Sequence, residues 1–360
     1  MRTTTDARAK SPDAVKPSLS VSVMTHPDRM NAAERIRERL GPQVDVLLAV
    51  DPEPDGPRSA LRSARLAFSQ ARESGATHHL VLQDDVEVPD GFVDSALRGV
   101  AVHPEAALSY FVEWGSRTAV LARWAALTGV GAVPVVNPYV PTVALCLPAA
   151  LAGELGGFLE SEAYQGEADD QAVLRFVRAT GTRALVTVPN LVEHSDLPSI
   201  VGNTGHGARR SVSFPAEPSY RDDASVLDVP RLMPFFAWNT GAALVIDTAN
   251  DVPATQRPAL DVLAAWGTDE AALRESFAAA VGTAAAGARV FEAASREQLF
   301  SVWLIAVAMG RCSGGSGRTR SPCSAAGWTI PWRRQPCPHS LRGPCASSPT
   351  RTHCSTTPPP

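Results

Sequence analysis

Two adjacent carboxylates follow an apolar run in the first third of the chain. Residues 80–82 (Leu-Val-Leu) lead into Gln83, Asp84 and Asp85. Two like charges at the rim of a sheet are costly unless a cation neutralises them. Oxygen ligands favour hard ions, and such ions commonly take diphosphate oxygens in their remaining positions. The pattern therefore predicts a Mn²⁺ or Mg²⁺ site, although a polar strand end that opens into a loop would explain the same residues.

The alternation of an extended backbone assigns these side chains to faces. It places Gln83 and Asp85 on one face and Asp84 on the other. Asp85 is therefore the first choice as metal ligand.

A second acidic pair, Asp169 and Asp170, opens a predicted amphipathic helix. The helix dipole favours ionised carboxylates at that end, and such a carboxylate can take a proton from a hydroxyl nucleophile. Either residue could be the base, with Asp170 preferred, and either could instead serve as the helix N-cap.

Basic residues offer two further places for phosphates. A glycine-rich stretch at residues 202–207 precedes Arg209 and Arg210 and is suited to a lid over a ligand, or to a plain loop. Four arginines recur at helical spacing, which is typical of a solvated helix face. They are Arg58, Arg62, Arg65 and Arg72.

Alternating apolar patterns predict the elements that position these groups. Residues 19–23, 44–50 and 77–82 read as strands, and residues 28–40 and 58–74 between them read as helices. Continuous apolar strands that alternate with helices indicate a parallel sheet covered on both faces. Ligands bind beyond the carboxyl ends of such strands, where this chain has His26, Asp51 and the acid pair.

Later elements are predicted with less regular patterns. The expected strands are residues 106–112, 142–147 and 183–188, and the expected helices are 149–155 and 169–179. After about residue 225 the chain becomes rich in alanine, and helices are expected at 258–265, 268–281 and 293–309.

Together these segments resemble the GT-A glycosyltransferases. The acid pair resembles the DxD-type metal motif of that family, in a variant with adjacent acids, and Gln83 stands where the family usually has an acid. The matching segments are residues 24–29, 50–51, 80–92, 142–158, 166–171 and 189–203. The resemblance covers residues 19–215 and implies a Rossmann-like mixed sheet with helices on both faces, followed by an alanine-rich helical region.

The resemblance also implies roles for individual residues. It places His26, Asp51, Arg65 and Asp84 at a nucleotide-sugar donor and makes Asp85 and His194 metal ligands. One of Asp169 and Asp170 would then deprotonate the hydroxyl acceptor. The acceptor would lie near residues 113–141, where Trp114, Trp124 and Tyr139 could stack on it, although a buried core role suits each of them better.

The expected activity is metal-assisted transfer of a sugar from a nucleoside-diphosphate donor to an unidentified hydroxyl acceptor, with inversion. Two alternatives stay open. One is a nucleotidyltransferase on a similar sheet, which normally has a glycine-rich loop after its first strand. The other is an inactive protein that binds nucleotide sugars or acts as a scaffold.

Composition limits the remaining possibilities. A net charge of −4 over 360 residues argues against nucleic acid as a partner. No apolar stretch is long enough for a transmembrane segment and no signal peptide is recognisable, so a cytoplasmic protein is expected.

The predicted organisation is a disordered leader (1–17), a glycosyltransferase domain (18–225), a helical region (226–310) and a disordered basic tail (311–360).

The tail differs in composition from the rest of the chain. It contains seven arginines, no acidic residue and five of the six cysteines. Because no Cys-x-x-Cys pair occurs, a metal knuckle is disfavoured. A frameshift product of a GC-rich gene explains this composition better.

Overall fold

The computed structural model describes most of the first 314 residues. The described ranges are 3–5, 16–161, 166–195, 197, 209–220, 222–237, 240–248, 256–283 and 294–314. The predicted tail lies outside them, except for residues 311–314, which end the last helix.

The first half of the chain forms the parallel core that the sequence predicts. Strand β2 (Leu19–Thr25) pairs in parallel with β3 (Val46–Val50) on one side and β4 (His78–Gln83) on the other. Helices α1 (Met30–Leu40) and α2 (Leu61–Ser69) connect these strands, each continued at one end by a 3-10 turn. The carboxyl ends of three adjacent strands therefore meet at one edge.

Alternate residues of β4 enter two different cores. Leu80 and Leu82 pack in the core that contains residues of α1, whereas Val81 packs in the core that contains residues of α2. Helices consequently cover both faces of the sheet, as the continuous apolar strands predict. The mixed α/β fold class expected from the sequence is confirmed.

Over the described residues, the central sheet has nine strands and is mixed. The strands besides β2, β3 and β4 are β1 (Thr3–Thr5), β6 (Ala107–Ser109), β7 (Ala132–Pro134), β8 (Ala144–Pro148), β9 (Ala184–Thr187) and β11 (Ser225–Leu227). The order in the sheet is β1-β11-β7-β9-β6-β8-β4-β2-β3, and β8 runs antiparallel to both β4 and β6. The helices that pack around this half are α3 (Phe92–Val102), α4 (Arg117–Thr128), α5 (Ala149–Ser161) and α6 (Asp169–Thr180).

A short two-stranded pair lies beside the acid pair. Strand β5 (Val86–Glu87) pairs antiparallel with β10 (Glu193–His194), so that His194 faces Val86. The Ser195 backbone N–H and hydroxyl both donate to the Asp85 carbonyl oxygen. These bonds bring a late segment of the chain next to the end of β4.

The region after residue 225 contains more than helices. Strands β12 (Leu232–Ala237), β13 (Ala242–Asp247) and β14 (Gln256–Pro258) form an antiparallel sheet. Helices α7 (Ala259–Ala265), α8 (Glu270–Thr283) and α9 (Arg296–Gly314) follow it. The prediction of an all-helical region is incomplete, because the strands bury apolar residues such as Val245 against the helices in one core.

Three residues of the leader that the sequence predicts to be disordered are described by the structure. These residues, 3–5, form strand β1 and pair antiparallel with β11. Among the described helices, none combines the length and apolar character needed to cross a bilayer.

Candidate active site

A cleft of about 610 Å³ opens at the carboxyl ends of β2, β3 and β4. This volume lies in the usual range for small-molecule sites. Six residues predicted for the site line it, and they come from four separate parts of the chain. They are His26, Asp51, Asp84, Asp85, Asp169 and Asp170.

The acid pair lies at the floor of this cleft, and Arg29 bridges it. One guanidinium nitrogen, Arg29 Nη1, is 3.0 Å from Asp84 Oδ1 and 3.6 Å from Asp85 Oδ2. Thr25 Oγ1 donates to Asp84 Oδ2 at 2.8 Å. Both carboxylates are more than nine-tenths buried, so the arginine provides the positive charge that such a pair needs.

The two carboxylates share this partner because the strand ends early. Strand alternation predicts that Asp84 and Asp85 point to opposite faces, but β4 stops at Gln83 and residues 84–85 form a turn. Gln83 also lines the cleft and donates a long hydrogen bond, 3.5 Å, to Thr142 Oγ1. The turn, and not the strand, therefore sets the geometry of the acid pair.

Asp85 has two further partners from the late segment of the chain. His194 Nε2 lies 3.3 Å and Arg209 Nη2 lies 3.6 Å from Asp85 Oδ2, and Arg209 also contacts His194 Nε2. Burial on its own would raise the pKa of Asp85. The hydrogen bond from His194 and the charges of His194, Arg209 and Arg29 outweigh it and hold this pKa below its usual range.

Asp84 responds differently to the same surroundings. Burial raises its pKa, and the hydrogen bonds from Thr25 and Arg29 offset that effect only in part. The two neighbouring carboxyls are thus shifted in opposite directions.

The residue types around Asp85 suit a divalent ion. Two carboxylates and an imidazole are ligands that Mn²⁺ accepts, and Asp85 Oδ1 and His194 Nδ1 are buried without a hydrogen-bond partner in the described part of the chain. The present spacing is less favourable: over the described ranges, no three side chains of His, Cys, Asp or Glu converge closely enough to hold an ion. Occupation by Mn²⁺ or Mg²⁺ stays a prediction.

Asp51, predicted to contact the nucleoside, is held in a bidentate ion pair. Arg62 Nε and Nη2 each donate to a different Asp51 oxygen at 2.7 Å, and the Glu53 N–H donates to Asp51 Oδ1 at 3.0 Å. Burial raises the pKa of Asp51, but the Arg62 hydrogen bonds and charge lower it by more. The pair therefore presents Arg62, and not a bare carboxylate, beside the end of β3.

Of the arginines on and before α2, Arg58 and Arg62 line the cleft and Arg65 does not. The predicted donor contact at Arg65 is thus not brought together with the other site residues.

His26 follows β2 and also lines the cleft. Its Nδ1 accepts from the Asp28 N–H at 3.2 Å and lies 3.4 Å from Asp28 Oδ2, so the ring is fixed at the start of the 3-10 turn. The two histidines of β4, His78 and His79, bond to backbone carbonyl oxygens and are structural. His79 bonds to Ser20 and to the Ala67 carbonyl oxygen, and burial lowers its pKa to about 4.

The second acidic pair borders the cleft at the start of α6. Ala168 takes the N-cap position without a side-chain bond, so neither aspartate is the N-cap. Asp169 Oδ2 and Asp170 Oδ1 are buried without a hydrogen-bond partner among the described residues. Burial, reinforced by the charge of Asp169, raises the pKa of Asp170 to about 6, and burial also raises that of Asp169.

The aromatic residues considered for an acceptor separate into different environments. Trp124, on α4, is buried in a hydrophobic core, whereas Trp114 is 41% exposed. Tyr139 lines the cleft, and its pKa is raised by burial and by the charges of Glu113 and Asp170. Tyr139 and Glu113 therefore belong to the same side of the cleft as Asp170.

The glycine-rich segment predicted as a lid, residues 202–207, lies outside the described residues. Arg209 and Arg210 follow it, and the Arg210 carbonyl accepts from the Trp114 N–H at 2.9 Å. This bond and the Glu193–Ser211 hydrogen bonds hold Arg209 at the edge of the cleft.

Arg29 and Arg62 were not among the predicted site residues. The signal available for Arg29 was its position in the turn after β2, next to His26 in the same segment. For Arg62 it was helical spacing alone, which is equally typical of a solvated face.

Comparisons with known proteins add little to this geometry. No family model matches the chain, and no curated protein matches it. Among solved structures, the chain is similar to mannose-1-phosphate geranyltransferase from Thermus thermophilus, with 13% identity over 48% of this chain and 74% of that one. The TM-score is 0.25, and at that value the likeness supports no functional argument.

Proposed function

We propose that this protein is a glycosyltransferase that moves a sugar from a nucleoside-diphosphate donor to a hydroxyl acceptor, with inversion and with a divalent ion. The observation that carries the proposal is the pairing of two different acidic sites in one cleft. One is the buried pair Asp84 and Asp85 among arginines, and the other is Asp169 and Asp170 with raised pKa values.

The donor is assigned to the side of the cleft formed by β2, β3 and β4. Arg29, Arg58 and Arg209 line or border this side, and their guanidinium groups can bind phosphate oxygens in a bidentate manner. In the proposal, His26 and the Asp51–Arg62 pair contact the nucleoside. Asp84, Asp85 and His194 would hold the ion, which when bound acts as a Lewis acid on the diphosphate.

The acceptor is assigned to the side formed by the start of α6. A carboxylate with a pKa of about 6 is ionised at neutral pH yet basic enough to accept a proton from a hydroxyl group in the transition state. In the proposed reaction, the acceptor oxygen forms a bond to the anomeric carbon while the bond to the diphosphate oxygen breaks. Asp170 takes the hydroxyl proton and the nucleoside diphosphate leaves with the electron pair, so the configuration inverts.

A thermal-shift screen of nucleotide sugars, with and without Mn²⁺, tests the donor assignment. Donor at 100 times its dissociation constant stabilises a protein by about 2.7 kcal/mol, which is a shift of several degrees. Asp85→Ala is expected to abolish the Mn²⁺-dependent shift. The proposal fails if no nucleotide sugar shifts the transition, or if Asp85→Ala leaves donor affinity and its metal dependence intact.

Turnover assays distinguish a loss of catalysis from a loss of donor binding. Asp170→Asn is expected to retain donor binding and to lose transfer, and also donor hydrolysis in the absence of acceptor. Asp90→Asn, at a fully exposed side chain, is the matched control and should change neither. Binding without any turnover in the unmodified protein would favour the binding or scaffold alternative, and release of pyrophosphate from a nucleoside triphosphate would favour a nucleotidyltransferase.

A further inference from the structure

We propose that Arg29 and Arg209 compete with the divalent ion for the acid pair, and that the donor diphosphate ends this competition by taking over the two guanidinium groups. This inference rests on the proposed function, because it names how metal and donor would enter the same site. Its consequence is that metal and diphosphate bind cooperatively, and that the metal alone binds weakly.

Arg29 occupies the position between the two carboxylates that an ion would use. Its Nη1 lies between the two carboxylates, at 3.0 Å and 3.6 Å from one oxygen of each. The side chain of Arg29 is only 14% exposed, so the contact is a buried one and not a surface ion pair. An ion that used the same two oxygens would have to displace this nitrogen.

Arg209 closes the other side of the acid pair. Its Nη2 is 3.6 Å from Asp85 Oδ2 and contacts His194 Nε2, the atom through which His194 faces Asp85. Asp85 Oδ1 and His194 Nδ1, both on side chains more than nine-tenths buried, have no hydrogen-bond partner among the described residues. The arginines therefore neutralise the charge of the site, but they leave these two atoms, which could bind a metal ion, without a hydrogen bond.

The charge balance of the site explains why the ion and the diphosphate should bind together. Two guanidinium groups already neutralise two carboxylates, so a divalent ion added alone meets a site with two cations within a few ångströms of it. A diphosphate changes this balance, because its oxygens accept the same bidentate hydrogen bonds that guanidinium groups make to carboxylates. With the arginines on the diphosphate, the carboxylates are free for the ion, and by linkage each ligand strengthens the other.

The experiment measures protein-bound Mn²⁺ on the full chain by equilibrium dialysis, with and without inorganic pyrophosphate, because pyrophosphate in solution also binds Mn²⁺ and lowers the free-ion concentration on both sides of the membrane. Pyrophosphate has the diphosphate but no base or sugar. The unmodified protein should bind Mn²⁺ weakly alone, and at least about tenfold more tightly when pyrophosphate is present. Tight Mn²⁺ binding without pyrophosphate, or no binding under either condition, overturns the inference.

Removing the competing charge should move the two affinities in opposite directions. Arg29→Gln is expected to raise the affinity for Mn²⁺ alone by about tenfold or more, because a cation beside the site is gone. It should also weaken pyrophosphate binding in the presence of Mn²⁺. An Mn²⁺ affinity that is unchanged or lower overturns the inference.

Two further variants keep the test decisive. Arg35→Gln, at an exposed arginine on α1, which follows the 3-10 turn that contains Arg29, is the control and should behave as the unmodified protein. Arg209→Gln tests the same competition from the other side if Arg29→Gln does not fold, as judged by circular dichroism. The Mn²⁺ measurements use no nucleotide sugar, so a rise in Mn²⁺ affinity combined with a failed donor screen would reject the proposed function and retain the competition.

Discussion

Replacing Asp170 with asparagine is expected to stabilise the protein at neutral pH while abolishing transfer. The folded state raises the pKa of this carboxyl from 3.8 to about 6, first through burial and second through the charge of Asp169. Between these two values the unfolded chain is ionised and the folded chain is not, so folding stability falls as pH rises through this window. Asparagine has nearly the same shape and does not ionise, so the variant lacks this loss.

The size of the effect follows from the shift. Each pKa unit corresponds to about 1.4 kcal/mol, so a shift of roughly two units gives an upper value of about 3 kcal/mol. Asp170 is half-buried, and water at its exposed part reduces this figure to roughly 1–2 kcal/mol. The difference between variant and unmodified protein should reach this size above pH 7 and vanish near pH 4.

Urea unfolding monitored by tryptophan fluorescence at pH 4.5 and pH 8 checks the prediction. Other carboxyls that titrate in this range are common to both proteins and largely cancel in the difference. Asp90→Asn, at a fully exposed side chain, is the control for the loss of one carboxylate charge. A variant that is equally stable or less stable than the unmodified protein at pH 8 would refute the assignment of a raised pKa to Asp170.

Three other predictions concern activity and packing. The pH profile of kcat/KM should rise through about pH 6 and level off above pH 7, because Asp170 must be ionised to act as a base; a profile that is flat from pH 5 to 8 would contradict this role. Arg62→Ala should lower the free energy of unfolding by about 1–3 kcal/mol at pH 7, because it leaves the Asp51 carboxylate buried without its bidentate partner. The loss should be smaller below pH 4, because Asp51 becomes protonated there. Gly156→Ala should cost about 2–4 kcal/mol in urea unfolding, because its new Cβ would lie 2.7 Å from a backbone nitrogen of α2. Gly282→Ala, in open space on α8, should be neutral or slightly stabilising, and equal effects of the two alanines would argue against the close approach of α2 and α5.

Much of the fold was predictable because local patterns and burial agree. The strand and helix pattern of residues 19–82 predicts the parallel core, and the structure adds only the exact ends and the 3-10 turns. The antiparallel strand β8 and the three-stranded sheet after residue 225 were less predictable. Strand direction and pairing depend on which elements pack together. The short aromatic and β-branched segments of β12 and β13 favour strand within a region whose alanine-rich composition favours helix.

The candidate site was predictable as a set of residues but not as a set of contacts. The rule that ligands bind beyond parallel strand ends brings His26, Asp51 and Asp85 to one edge, and the cleft lies there. Strand alternation, however, predicts the wrong face for Asp84, because the chain turns directly after Gln83. A turn of one residue more or less reverses the face of every following side chain.

The amino-acid sequence alone determines which charges this protein carries and which apolar segments must be buried, and so it determines the mixed α/β core and the edge at which the acids collect. Only the tertiary structure decides what neutralises those acids. Arg29 and Arg209 lie more than 50 residues and more than 100 residues from Asp85 along the chain, and each reaches it through a different element. The interaction energy of charges depends on their distance in space and on burial, and neither quantity can be read from spacing along the chain.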